Sequence, residues 1–193
     1  MGHKEDLLAG AKKCLIELGY GRTTARDIVA ASHTNLASIG YHFGSKDALL
    51  TQAMMELVGE WGEKLGAAAD ESGARTSEAR FRATWRQILT LFETDRAVMM
   101  ASFDSAVQAA RSDDLKQIFV DIWPDARVSL VEDFLGADKI DPKARTAVGG
   151  LLLALISGMT VQYLIDPKGA PTADDLTLAM KVIGKAFADK GKP

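Results

Sequence analysis

A chain of 193 residues, 47% apolar and 25% charged, has the composition of a globular protein of one or two domains with a hydrophobic core. Its single cysteine, Cys14, excludes an intramolecular disulfide, and the charged start MGHKEDLLAG excludes a secretory signal peptide, so a cytoplasmic location is expected. The net charge of −3 hides an uneven distribution: residues 21–46 set Arg22, Arg26 and Lys46, with His33 and His42 beside them, against Asp27 alone, whereas residue 51 onward holds 17 basic and 21 acidic residues.

The periodicity predicts helices throughout, with no hairpin signal and no sustained alternation. Residues 4–18 place Leu7, Leu8, Ala11, Cys14, Leu15 and Leu18 on one face, and Gly19 stops the helix. Thr24 is a cap for the second helix, with Asp27 three residues on, and that helix is expected to end near Ala31. Ser32, His33 and Thr34 form a tight turn. Asn35 caps a short third helix reaching about His42. Gly44 and Ser45 break and restart the chain, and the fourth helix is predicted from Lys46 to about Ala69. Residues 70–76 look like a linker. Ser77 is expected to cap a fifth helix running to about Glu93, and a sixth covers residues 95–110. Ser112 starts a seventh, with Asp113 and Asp114 in its first turn, where acids suit the helix dipole. Pro124 is expected to kink it or to begin a new helix, and the segment closes at Leu135-Gly136. Asp141-Pro142 opens an eighth helix reaching Ile165. Thr172 with Asp175 opens a last one, ending near Ala188.

Residues 147–165 carry no charge, a length close to a bilayer span. Gly149, Gly150, Ser157, Gly158, Thr160 and Gln162 interrupt the stretch, and aromatic belts and basic flanks are missing, so a buried or interface helix is expected and no membrane association.

The second and third helices, joined by about three residues, follow the helix-turn-helix plan, in which the second of the pair enters the DNA major groove. Asn35, Ala37 and Ser38 then face base edges. Tyr41 and His42 sit where the DNA backbone passes, and Lys46 offers a charge to a phosphate at a helix start. Thr24 and Arg26, at the start of the second helix, join the DNA-contacting set. Phe43 and Ile39 belong to the core with Ile28 and Leu15.

The pattern GY-x-x-TT-x-x-x-I-V followed by NLASIGYHFGSKDALL resembles the DNA-binding domain of the tetracycline-repressor (TetR) family of transcriptional regulators, over residues 4–57. Gly19-Tyr20, Thr23-Thr24, Ile28, Tyr41-His42-Phe43, Ser45-Lys46 and Leu49 carry the resemblance. It implies an all-α chain: an N-terminal three-helix DNA-binding domain (1–46), then a helical domain (47–193) that binds an effector and forms a homodimer through its last two helices. The implied partners are a double-stranded, palindromic operator and a small apolar or amphipathic ligand that releases the protein from it. Three positions depart from the family: His33 where a turn glycine is usual, Thr34 where an apolar residue is usual, and Gly40 where a tyrosine is frequent.

Beyond residue 76, Trp85, Phe92, Met99, Phe103, Phe119, Trp123, Met159 and Tyr163 are candidate pocket residues. Asp104, Gln108 and Gln162 supply polar groups among them. Enzyme chemistry has little to stand on. His3, His33 and His42 lack metal-ligand spacing, Gly44-Ser45-Lys46 is not a phosphate-binding P-loop, and no G-x-S-x-G elbow occurs, so no metal and no cofactor are expected. The competing reading is a helical ligand-binding or scaffolding protein with a vestigial helix-turn-helix.

Overall fold

The computed structural model describes residues 3–71, 73–136 and 140–188. Among them the regular structure is entirely helical: α1 (His3–Leu18), α2 (Ala25–Ser32), α3 (Leu36–Phe43), α4 (Lys46–Glu71), α5 (Ser77–Thr94), α6 (Arg96–Ala109), α7 (Asp113–Leu135), α8 (Pro142–Ile165) and α9 (Ala173–Ala188). The all-α class read from periodicity is the class adopted.

Local chemistry sets most of the starts. Thr24 and Asp27 form a reciprocal capping box: the Asp27 N–H reaches Thr24 Oγ1 at 3.3 Å, and the Thr24 N–H reaches Asp27 Oδ2 at 2.8 Å. Thr172 and Asp175 repeat it at 3.2 Å and 2.9 Å. Asp141 accepts the Ala144 N–H at 3.1 Å, with Pro142 at the first helical position.

Two expectations change and one narrows. The cap of α5 is Thr76, whose hydroxyl accepts the Ala79 N–H at 3.1 Å. Ser77 instead donates to the Leu135 carbonyl at 3.1 Å, a partner far along the chain. Of the two outcomes expected at Pro124, a kink or a new helix, the second is excluded: α7 runs on to Leu135 with the proline inside it. α4 continues to Glu71, two residues past the expected end; Ser72 of the expected linker lies outside the described residues.

The chain divides into two compact units, Met1–Glu63 with Asp95–Trp123, and Lys64–Thr94 with Pro124–Pro193; the divisions fall within α4, between α5 and α6, and within α7. In the first unit, Leu7, Leu15, Ile28, Leu49 and Leu50 are fully buried, with Ile39, Met54 and Ala101 around them. Gly10 lets α1 meet α2 closely, since a Cβ there would lie 2.7 Å from Ser32 Cβ. Lys12 ties α1 to α4 through Glu56 at 2.7 Å and Glu60 at 2.6 Å. Burial opposes the charge of Lys12, but these two carboxylates more than compensate and raise its pKa above the ordinary 10.5.

In the second unit, Phe81, Trp85 and Phe134 pack ring to ring at 5.4–6.3 Å. Arg82 pairs with Asp174 at 3.0 Å and Lys181 with Glu78 at 2.7 Å, linking α5 to α9. α8 buries Gly149, Leu152, Met159 and Tyr163. It is long and apolar enough to cross a membrane, with a mean hydropathy of 1.8 over its most apolar window, and only 17% of that window is buried.

Candidate nucleic-acid interface

The geometry begins at the end of α2. His33 sits in the left-handed region, φ 53° and ψ 34°, and its N–H bonds to the Val29 carbonyl. The Thr34 N–H reaches the same carbonyl at 3.1 Å, the six-residue return of a helix C-terminus. Thr34 Oγ1 lies 2.7 Å from Ser32 Oγ, so a hydroxyl pair holds the place of an apolar staple. Both departures therefore keep the turn. Histidine accepts the left-handed conformation better than a branched residue does.

The turn aims α3. Asn35 Oδ1 accepts the Ser38 N–H at 3.0 Å and starts the helix. Ile39 is buried, Phe43 packs against the same core, and the Lys4 ammonium lies 5.9 Å from the Phe43 ring centroid. The opposite face is open. Ala37 is exposed, and Tyr41 is 86% exposed, its ring edge-to-face with His42 at 4.8 Å. Leu36, not singled out from sequence, is 51% exposed. Its spacing gives no signal, since Leu36 stands three and seven residues before Ile39 and Phe43 on the same helical stripe, and only its place in the first turn leaves it open.

Gly44 turns the chain at φ 77°, and Ser45 Oγ accepts the Ala48 N–H at 3.0 Å to start α4. Lys46 Nζ donates to the Thr23 carbonyl at 3.3 Å and pairs with Asp47 at 3.0 Å. The ammonium thus bridges the start of α4 and the segment entering α2. Arg26 is exposed in the first turn of α2, while Arg22 caps α1 through the Leu18 carbonyl at 2.7 Å. The Thr24 hydroxyl donates to Asp27 Oδ2 at 2.6 Å, which commits its proton to the cap. These bonds from the Thr24 hydroxyl and N–H hold the Asp27 carboxyl below its ordinary pKa. Tyr41, His42, Lys46 and the amides of two helix starts form a donor-rich rim beside an open reading helix, a combination that suits a phosphate backbone.

The candidate pocket residues do not form one group. In the second unit Phe92 and Tyr163 meet at 5.4 Å, Met159 is buried, and Trp85 lies in the ring cluster with its indole N–H buried and lacking an acceptor. The Tyr163 hydroxyl donates to Glu93 at 3.2 Å. In the first unit Phe119 and Trp123 meet at 6.1 Å, Met99 is buried, and Phe103 and Trp123 are about 40% exposed. The first unit also holds a cleft of about 660 Å³ lined by Leu15, Leu18, Met100, Asp104 and Gln108. There Asp104 Oδ2 accepts the Gly21 N–H at 3.3 Å, joining α6 to the α1–α2 turn.

Residues 7–53 match the family model of bacterial regulatory proteins of the tetR family, and residues 77–187 match the C-terminal model of BetI-type transcriptional repressors. The chain belongs to the TetR family. No curated protein matches it in sequence. Solved TetR-like folds superpose over nearly its whole length. A transcriptional regulator from Rhodococcus sp. Rha1 is 26% identical, with a TM-score of 0.68, covering 94% of this chain and 96% of that one. A TetR-family member from Streptomyces coelicolor A3 is 17% identical, with a TM-score of 0.68, covering 94% and 97%. The multidrug binding protein EbrR, solved with imidazole, is 17% identical, with a TM-score of 0.69, covering 92% and 87%; it has also been solved with proflavin. The α2–α3 pair is therefore the helix-turn-helix of a TetR-family transcriptional regulator.

Proposed function

We propose that the chain is a homodimeric repressor that grips a palindromic operator and is released from it by a small apolar or amphipathic ligand. The observation that carries this reading is the intact left-handed turn at His33, which presents an open α3 with Tyr41 86% exposed beside Lys46. Residues 1–46 act on DNA, and residues 47–193 bind the effector and dimerise. Asn35, Ala37 and Ser38 meet base edges in the major groove. Tyr41, His42, Lys46, Arg26 and Thr24 hold the flanking phosphates, Thr24 through the helix start it caps. Two-fold symmetry then sets half-sites about one helical turn apart or somewhat more.

EbrR takes imidazole and proflavin, flat nitrogen-containing rings. A comparable ligand here would be held by the aromatic and methionine side chains of residues 47–193, with the unanswered Trp85 N–H as a donor to it. Release requires that the ligand prefer a conformer whose reading heads no longer match the operator spacing. The protein acts in the cytoplasm without a membrane, a metal or a cofactor, and it catalyses no reaction.

The test is enrichment of duplexes from random DNA at two salt concentrations. A palindromic winner whose affinity falls with salt is expected. Tyr41→Ala and Lys46→Ala should weaken binding to all sequences, and Lys46→Ala should reduce the salt slope by about 1. A folded dimer that enriches nothing would move the function to ligand binding or scaffolding.

A further inference from the structure

We propose that the reading helix recognises thymine through its C5 methyl group, with Leu36 as the residue that sets the preference. This deepens the DNA-binding reading above and rests on it. The sequence of α3, LASIGYHF, contains no Arg, Lys, Gln, Asn, Asp or Glu. Those are the side chains that read purines with paired hydrogen bonds or accept from cytosine. Asn35, just before the helix, is engaged as the cap, its Oδ1 accepting the Ser38 N–H at 3.0 Å, and turning to pair with adenine would compete with that bond.

Beyond the Ser38 hydroxyl, which does not discriminate between bases, the start of the helix offers apolar groups. Leu36, at the first helical position, is 51% exposed, and Ala37 beside it is exposed. Nothing lies within 4 Å of where a side chain at Gly40 would begin, so this face of the helix can approach the groove closely. An exposed leucine gains free energy only against another apolar surface. In the major groove that surface is the thymine methyl. A guanine, adenine or cytosine edge facing Leu36 would lose water and receive no hydrogen bond in return. Thymine is thus accepted and the other bases are penalised, while Tyr41, His42 and Lys46 supply sequence-independent grip.

The duplex enriched from random DNA is resynthesised with deoxyuridine for thymidine in both half-sites. Uracil keeps the pairing and the O4 acceptor and removes only the methyl. The wild-type protein is expected to bind the uracil duplex about fourfold more weakly per contacted methyl, the factor for burying one methylene-sized group. Leu36→Ala, checked for folding by circular dichroism, is expected to bind the two duplexes nearly equally. Equal wild-type affinity for both would overturn the inference and leave DNA binding standing. A Leu36→Ala protein that keeps the full uracil penalty would overturn the assignment to Leu36. A folded wild-type protein that retains no duplex at all would overturn the inference and the regulator reading together.

Discussion

His33 holds a conformation that glycine adopts freely, and the two residues after it depend on that conformation. A left-handed L-residue costs roughly 1–2 kcal/mol, less for histidine than for branched side chains. His33→Gly is expected to raise stability by about 0.5 kcal/mol, because the relief is partly offset by a freer unfolded chain. His33→Val is expected to lower it by more than about 1 kcal/mol. Urea midpoints at unchanged slope measure both, and the opposite order would mean that the turn is not left-handed. Thr24 and Asp27 give a second residue-scale prediction. Hydrogen bonds from Thr24 depress the Asp27 pKa below its ordinary 3.8. The stabilisation they confer is complete above that value and is lost as pH falls through the lower folded value. Thr24→Ala should therefore lower stability near neutral pH, and the part of the loss that comes from the Asp27 carboxylate should shrink as pH falls below 3.8. A gap of constant size in urea titrations at pH 7 and pH 3 would refute the linkage.

Helices α7 and α8 meet at the backbone. A Cβ on Gly149 would strike the Arg127 carbonyl oxygen and lie 2.8 Å from its carbonyl carbon. Backbone cannot move aside as a flexible side-chain tip can. Gly149→Ala is expected to destabilise the protein by about 1–3 kcal/mol, although alanine is the better helix former. A neutral or higher thermal midpoint would contradict the close approach. This contact also marks the limit of what the sequence made legible. Helix starts were legible at Thr24, Asn35, Asp141 and Thr172 because a cap and its partner lie within three residues of each other. The choice between Thr76 and Ser77 was not, because it depends on the Leu135 carbonyl 58 residues away. The Asp104–Gly21 bond, 83 residues apart, carries no local trace either. Apolar side chains posed the same difficulty. Composition placed Trp85 and Trp123 together as pocket candidates, yet Trp85 is fully buried and Trp123 is 40% exposed. At the reading helix, the Tyr41-His42-Phe43 triplet is recognisable as a pattern, whereas Leu36, on the stripe of Ile39 and Phe43, is marked out only by its exposure.

At the scale of the molecule, the exposed apolar surface of the last two helices needs a partner. On α9, Leu178, Val182 and Phe187 are 61%, 60% and 83% exposed, and on α8 Leu151 is 49% exposed. A globular protein rarely leaves so many large apolar side chains exposed without covering them. The uncharged stretch 147–165 of α8 has the same explanation if a second copy of the chain packs there, and this requires no bilayer. Wild-type protein should then sediment at twice the 20.7 kDa of one chain. Val182→Glu puts a charge into the middle of the proposed interface, where it would be desolvated without a partner. It should sediment as a single chain and keep its helical circular dichroism, because Val182 contributes little to the core of its own subunit. Operator binding should weaken with dimer loss, since each subunit carries one reading head and a palindrome rewards only the linked pair. A dimeric Val182→Glu protein would move the interface off α9. A monomeric wild-type protein would remove the two-fold symmetry on which the palindrome rests, and α3 would then have to find its sequence with one head alone.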